Sequence, residues 1–342
     1  VTVTVYASGV TVEVIPRTVT PPPPPPAGLT WTKLATATGL NFGAYFRRPV
    51  MLGNGDVWMA WGANSQPDSG SLIFSRATKT FAKTSANSGV GWDIGKRENY
   101  GACFDPDRNA VWVGAGAPVA YSQPGDLKLD LATGAYTEVF PAAFNGSGDT
   151  AFLYHEGFHY SFGGWGNAAC RRRDVTTGAI TAYGGATQPQ FTRQTQYGSA
   201  SQESPRLTYA RSGKRPDGTL WALANDNELW TCPLNGQWAM VATTGDKPTT
   251  IGIVATLVES RNCIVAWCGK SGMVVADAGG TVQQTWILDL ASKAWTLATT
   301  ATTPPATVMS QANLLSDGNS VFAVIDISGA YAEAWELTWG SL

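Results

Sequence analysis

At 342 residues the chain has room for two domains or one large repeat domain, and only 14% of it is charged, against about 25% in ordinary soluble domains. A net charge of −2 with no basic block offers nucleic acid or an anionic bilayer no electrostatic foothold, and no run approaches the roughly 18 apolar residues of a membrane span. Gly 38, Pro 20 and Trp 14 point instead to a turn-rich, aromatic β protein.

The first 20 residues read as a unit of their own. Val1, Val3 and Val5 alternate with threonine, and after Ala7-Ser8-Gly9 the alternation resumes with Val10, Val12 and Val14. This is the period and turn of a β-hairpin. A lone hairpin is marginal in water, so its valine face is expected to rest on something else. The favoured partner is a larger protein assembly, with residues 1–20 as its anchor; a disordered segment, or one docked on the same chain, is the second reading. Pro21 to Pro26 follow without a break. Such a run forms a stiff polyproline II spacer of roughly 20 Å at ~3.1 Å per residue. The domain division is therefore 1–20 anchor, 21–26 linker and 27–342 head.

From Ala27 onward one outline repeats. Phe74–Phe81, Leu129–Tyr136, Arg173–Ile180, Thr231–Trp238 and Leu288–Trp295 each read as a strand end, a tight polar turn and a strand opening on a large apolar residue. A period of roughly 40 to 60 residues built from short strands is the mark of propeller blades. Blade one spans about 48–86, blade two 99–140, blade three 149–183, blade four 204–243, blade five 251–299 and blade six 310–339. The last supplies only three strands, and residues 29–36 resemble an outer strand that precedes any first blade. Ring closure by that N-terminal strand solves both problems and removes an open sheet edge.

This pattern resembles the kelch family and, more loosely, the propeller domain of galactose oxidase. Gly163-Gly164 matches the family's glycine pair at a second-strand end; Gly114-Ala115-Gly116, Trp61-Gly62 and Cys268-Gly269 are reduced versions. The fourth-strand tryptophan is kept at Trp238 and Trp295 and weakened to Phe81, Tyr136 and Ile180. The resemblance implies an all-β, six-bladed, kelch-like propeller and carries no activity with it. The copper site of galactose oxidase needs two histidines and two tyrosines from separate blades, one tyrosine linked to a cysteine. Here both histidines of the chain, His155 and His159, share one hairpin, which argues against that chemistry.

His155-Glu156-Gly157-Phe158-His159 also matches the His-Glu-x-x-His zinc pattern, which needs a helix to bring both imidazoles to one ion. Here Glu156-Gly157 occupies the hairpin-turn position of Asn54-Gly55 and Asp317-Gly318, so the two rings fall on different rungs. Sialidases, also six-bladed, use an arginine cluster, but Arg171-Arg172-Arg173 alternate faces on a strand. The five cysteines lie at irregular spacing and read as buried free thiols. No catalytic residue, metal or cofactor is assigned.

Loops joining strands one to two and three to four are short, whereas the opposite set is long and irregular. Long loops commonly carry function. The ligand surface expected there comprises Trp92, Asp93, Arg97, Tyr121, Trp165, Phe191, Arg193 and Tyr197, with Gln190 and Gln194 beside them. Rings next to polar groups suit a surface glycan or a protein receptor.

The anchor, spacer and low-charge β head together have the style of bacteriophage appendage or decoration proteins. The function expected is that of a non-enzymatic propeller head on a larger assembly, in a virion or extracellular setting, serving adhesion or surface decoration. No nucleic-acid partner and no membrane insertion are expected. The second reading is a secreted carbohydrate-binding lectin or glycan-active hydrolase. Acidic residues converging at the mouth of the ring would favour an enzyme.

Overall fold

The computed structural model describes residues 28–38, 48–61, 70–86, 97–98, 101–114, 117–118, 126–140, 150–163, 168–189, 194–195, 203–204, 211–224, 227–248, 253–268, 283–304, 312–327 and 331–339. The expected hairpin of residues 1–20 and the linker 21–26 lie outside them.

Six four-stranded antiparallel sheets form the six blades of a β-propeller. Two short two-stranded pairs, Arg97–Glu98 with Ala117–Pro118 and Gln194–Thr195 with Glu203–Ser204, stand apart. In blade three the strands run Ala151–His155, Phe158–Gly163, Ala168–Asp174 and Ile180–Ala182, from the ring's inside outward. Blade six comprises Ala312–Ser316, Val321–Ile327 and Tyr331–Thr338 and is completed by Thr30–Thr38. That closing strand pairs from Thr30↔Thr338 to Thr38↔Tyr331, so the ring closes as the sequence predicts, with a strand slightly longer than residues 29–36.

Local chemistry explains the repeated outline. Asp130 accepts from the N–H groups of Ala132 and Thr133, Asp174 from those of Thr176 and Thr177, and Asp289 from that of Ser292. Each carboxylate thus ties down a turn in the manner of an Asx cap. Four positions after the carboxylate the chain must enter the left-handed region, and Gly134, Gly178 and Lys293 do so, with Lys79 at the equivalent place in blade one. Blade four enters it one residue earlier, at Asn235.

The core is a ring of junctions. Six apolar clusters among the described residues each join neighbouring blades. One of them sets Val324, Ala332 and Ala334 of blade six against Val57, Met59 and Phe74 of blade one. Trp31, Trp238 and Trp295 are buried in such junctions, as expected. Ile180 is not: it is 44% exposed. Tyr183, three residues on, fills that place, packing edge-on to Tyr160 and donating to the Pro233 carbonyl of blade four.

The short turns add polar ties across the junctions. Arg76 of blade one reaches Asp317 of blade six at 2.6 Å and lies over the Phe322 ring. Arg172 of blade three donates to Asn235 of blade four, Arg215 of blade four to Asn262 of blade five, and Arg261 of blade five covers Trp339.

Candidate functional site

The inner strand of each blade runs along the ring axis, so the ends of the six inner strands face one another around a central space. Two cavities share that space and border both on Arg48, Lys214, Glu259 and Ser316. The larger, of about 640 Å³, follows the inner strands of blades one to three and the turns that cap them. The smaller, of about 180 Å³, runs between the inner strands of blades four, five and six and the Arg48-Pro49 lead-in to blade one.

Each blade contributes one charged side chain to the larger cavity. They are Arg48, Asp107, Glu156, Lys214, Glu259 and Asp317, in blade order. With charged residues so scarce in this chain, such convergence is a distinct feature of the axis. Several of these groups are held in place. Asp107 accepts from the Tyr154 hydroxyl. Burial pushes the Asp317 carboxyl up, but the backbone N–H groups of Ser320 and Asn319 and the Arg76 guanidinium outweigh it and leave its pKa below the usual carboxylate range. His155, beside the cavity, packs against Gly218 of the next blade. Burial and then the Lys214 ammonium lower its pKa, against the pull of Glu156 and Asp217.

Two further groups on the cavity wall stay protonated at neutral pH. Burial drives the Cys103 thiol well above its ordinary pKa. Burial and Asp107 push the Tyr154 phenol up to about 12. The wall therefore offers a ligand charge and hydrogen bonds rather than an activated thiolate or phenolate. Trp221 borders the smaller cavity at 2% exposure, and its indole N–H has no acceptor among the described residues.

Among the described residues this cavity is bordered by the short turns and the inner strands they cap. Trp92, Asp93, Tyr121, Trp165, Phe191, Arg193 and Tyr197 lie outside the described residues, as do the anchor valines Val1, Val3, Val5, Val10, Val12 and Val14. Arg97 is placed only as backbone, paired with Pro118. The axial residues escaped sequence reasoning because they lie scattered from 48 to 317, most of them in turns that signal only a hairpin, with Arg48 in a lead-in and Lys214 in a strand. Glycine-containing turns flanked by Asp, Glu or Lys in successive repeats were the available signal.

Sequence reasoning also missed a buried polar cluster between blades two and three. Arg173, 1% exposed, pairs with Asp126, 0% exposed, and stacks over Phe140. His159 is packed among Trp112, Phe152 and Tyr154. Burial, Arg173 and Arg108 bring its pKa down to about 3.

No protein-family model matches the sequence, and no curated protein matches it. Solved structures do match. One is described as a novel fungal alcohol oxidase with catalytic diversity among the AA5 family, in complex with copper. The likeness covers 90% of this chain and 76% of that one, at 12% identity and a TM-score of 0.55. It shows a shared propeller fold of the galactose-oxidase type.

The comparison corrects one expectation. A non-enzymatic head on a virion or other assembly, with a lectin or glycan hydrolase as the alternative, was read from the style of the chain. One matching solved structure is an oxidase, and a propeller scaffold serves catalysis as readily as display. The style therefore gives that reading no ground.

The copper of that oxidase was tested against the residues here. In blade three Tyr154 pairs with His159 and His155 with Phe158. The histidines thus leave opposite faces of the hairpin, His155 toward Gly218 of blade four and His159 toward Trp112 of blade two. No group of three or more His, Cys, Asp or Glu among the described residues could hold a metal ion. With two histidines in the whole chain, the residues do not fit a two-histidine centre drawn from separate blades.

Proposed function

We propose that this propeller works at its axial cavity, where it takes up a small polar molecule. The observation that supports this reading is the convergence of one charged side chain from every blade on a cavity of about 640 Å³, within the ~300–1,000 Å³ usual for small-molecule sites. The rim carries the carboxylates Asp107, Glu156 and Asp317, while Arg48 and Lys214 also border the narrower space. That an oxidase shares the fold agrees with a ring acting on a small molecule on its axis.

The test is a screen of small soluble fragments by ligand-observed NMR, run on the wild type and on Ser316→Trp. Ser316 is half-buried at the end of the inner strand of blade six and lines both cavities, so an indole there intrudes on the space they share. Binders are expected for the wild type and should be lost in a folded Ser316→Trp protein. Binders indifferent to the substitution, or no binders at all, would overturn the reading.

A further inference from the structure

We infer that the narrow end of the axial cavity recognises a small carboxylate monoanion. The inference rests on the axial cavity being the working site. Three observations carry it. First, the charged groups on the narrow cavity among the described residues are Arg48, Lys214 and Glu259, a formal sum of +1 from two cations and one anion. That balance suits a monoanion, and Glu259 opposes a second negative charge. Second, Trp221 lines the cavity, and its buried indole N–H lacks an acceptor among the described residues. A buried donor left unmade costs about 1–3 kcal/mol, and a carboxylate oxygen would satisfy it. Gly213, across the strand pair from Trp221, makes the arrangement possible, since a Cβ there would stand 2.8 Å from the indole nitrogen. Third, a volume of about 180 Å³ equals about six water molecules at ~30 Å³ each. That is room for a carboxylate on a short carbon skeleton.

Charge-assisted donors are the strong ones, so Lys214 and Arg48 should set affinity while the Trp221 N–H orients the carboxylate. The test uses three probes of one shape: propionate, propionamide and propylammonium. Each is titrated at constant ionic strength into the full chain labelled with ¹⁵N-tryptophan. The Trp221 indole signal is assigned by its loss in Trp221→Phe. Propionate is expected to shift that signal saturably, the amide and the amine to leave it in place, and Lys214→Met to weaken propionate about tenfold, the loss of one charge-assisted contact.

A response to propionamide or propylammonium equal to that of propionate overturns the inference and leaves the axial site standing. Silence from all three probes, while screened fragments still depend on Ser316, overturns the inference alone. Silence together with no Ser316-dependent binder removes both readings. The probe series needs no variant to be decisive, so a poorly folding Lys214→Met would not shield the inference.

Discussion

His159 shows how a residue that reads as chemistry is set by burial. Its ring lies 4.7 Å from that of Trp112 and 4.8 Å from that of Phe152, and neither ring nitrogen has a hydrogen-bond partner among the described residues. A charged imidazole there would lose its hydration and face Arg173 and Arg108, which is why the pKa falls to about 3. In the unfolded chain the same ring titrates near 6.5. Below that value the unfolded state binds a proton that the folded state refuses. Stability from this group is therefore complete above about pH 6.5 and is lost as pH falls toward 3, by about 1.4 kcal/mol per unit. Urea melts at pH 7 and pH 5 should differ by about 2 kcal/mol more in the wild type than in His159→Phe, which keeps the ring and removes the proton site. Equal differences in the two proteins would mean that the ring is hydrated. The separation of His155 from His159 was legible, because a two-residue turn at Glu156-Gly157 dictates the rungs. The burial was not, because Trp112 and Arg173 reach His159 only through the packing of one blade on the next and the pairing of separate strands.

At the level of elements, the chain leaving one blade clamps the outer strand of the next. Gly184 accepts from the Trp238 N–H and Thr244 from the Trp295 N–H, both at 2.9 Å. Parallel bridges join Gly184 to Gln237 and Thr244 to Ala294. Gly245 follows at φ +77°, where an added Cβ would stand 2.5 Å from the Trp295 carbonyl oxygen. Gly134 has nearly the same backbone, at φ +71°, but nothing lies within 4 Å of its would-be Cβ. The two therefore separate strain from collision. Gly134→Ala should cost about 1 kcal/mol, the left-handed penalty alone. Gly245→Ala should cost at least twice that, since backbone rather than a flexible side chain stands in the way. Chemical denaturation of the pair measures the difference, and equal costs would mean that the exit segment yields freely. The turn before each outer strand was readable from Asp, Thr and Gly because its hydrogen bonds are local. The clamp was not, since its partner lies about 50 residues away; nor was the shift from Ile180 to Tyr183, which follows from how Tyr160 and Pro233 meet that edge.

The whole molecule is a ring in which each junction is bordered by two others, and the N-terminal strand is one of its working parts. Trp31 is 1% exposed, donates its indole N–H to Thr285 of blade five at 3.0 Å, and belongs to the junction of blades five and six. Trp238 holds the corresponding place between blades three and four. Closure was legible because blade six lacked a strand that residues 29–36 could supply. The axial cavity was not, because its wall assembles only once six inner strands share an axis. Closure makes a prediction about cooperativity that burial alone does not. An appended strand would detach by itself, and Trp31→Ala would then add an early transition and leave the main one in place. In a closed ring its loss opens the edge of blade six and loosens the junctions on either side. Trp31→Ala and Trp238→Ala should therefore each cost about 3–5 kcal/mol and each retain a single transition, with fluorescence and far-ultraviolet dichroism coincident. The Tyr331–Thr338 amides, which pair with the closing strand, should exchange no faster than those of blade three in the wild type. If they exchange first, or if Trp31→Ala splits the melt in two, the closing strand is a flap on a ring whose sixth blade stands on three strands, rather than the clasp of that ring.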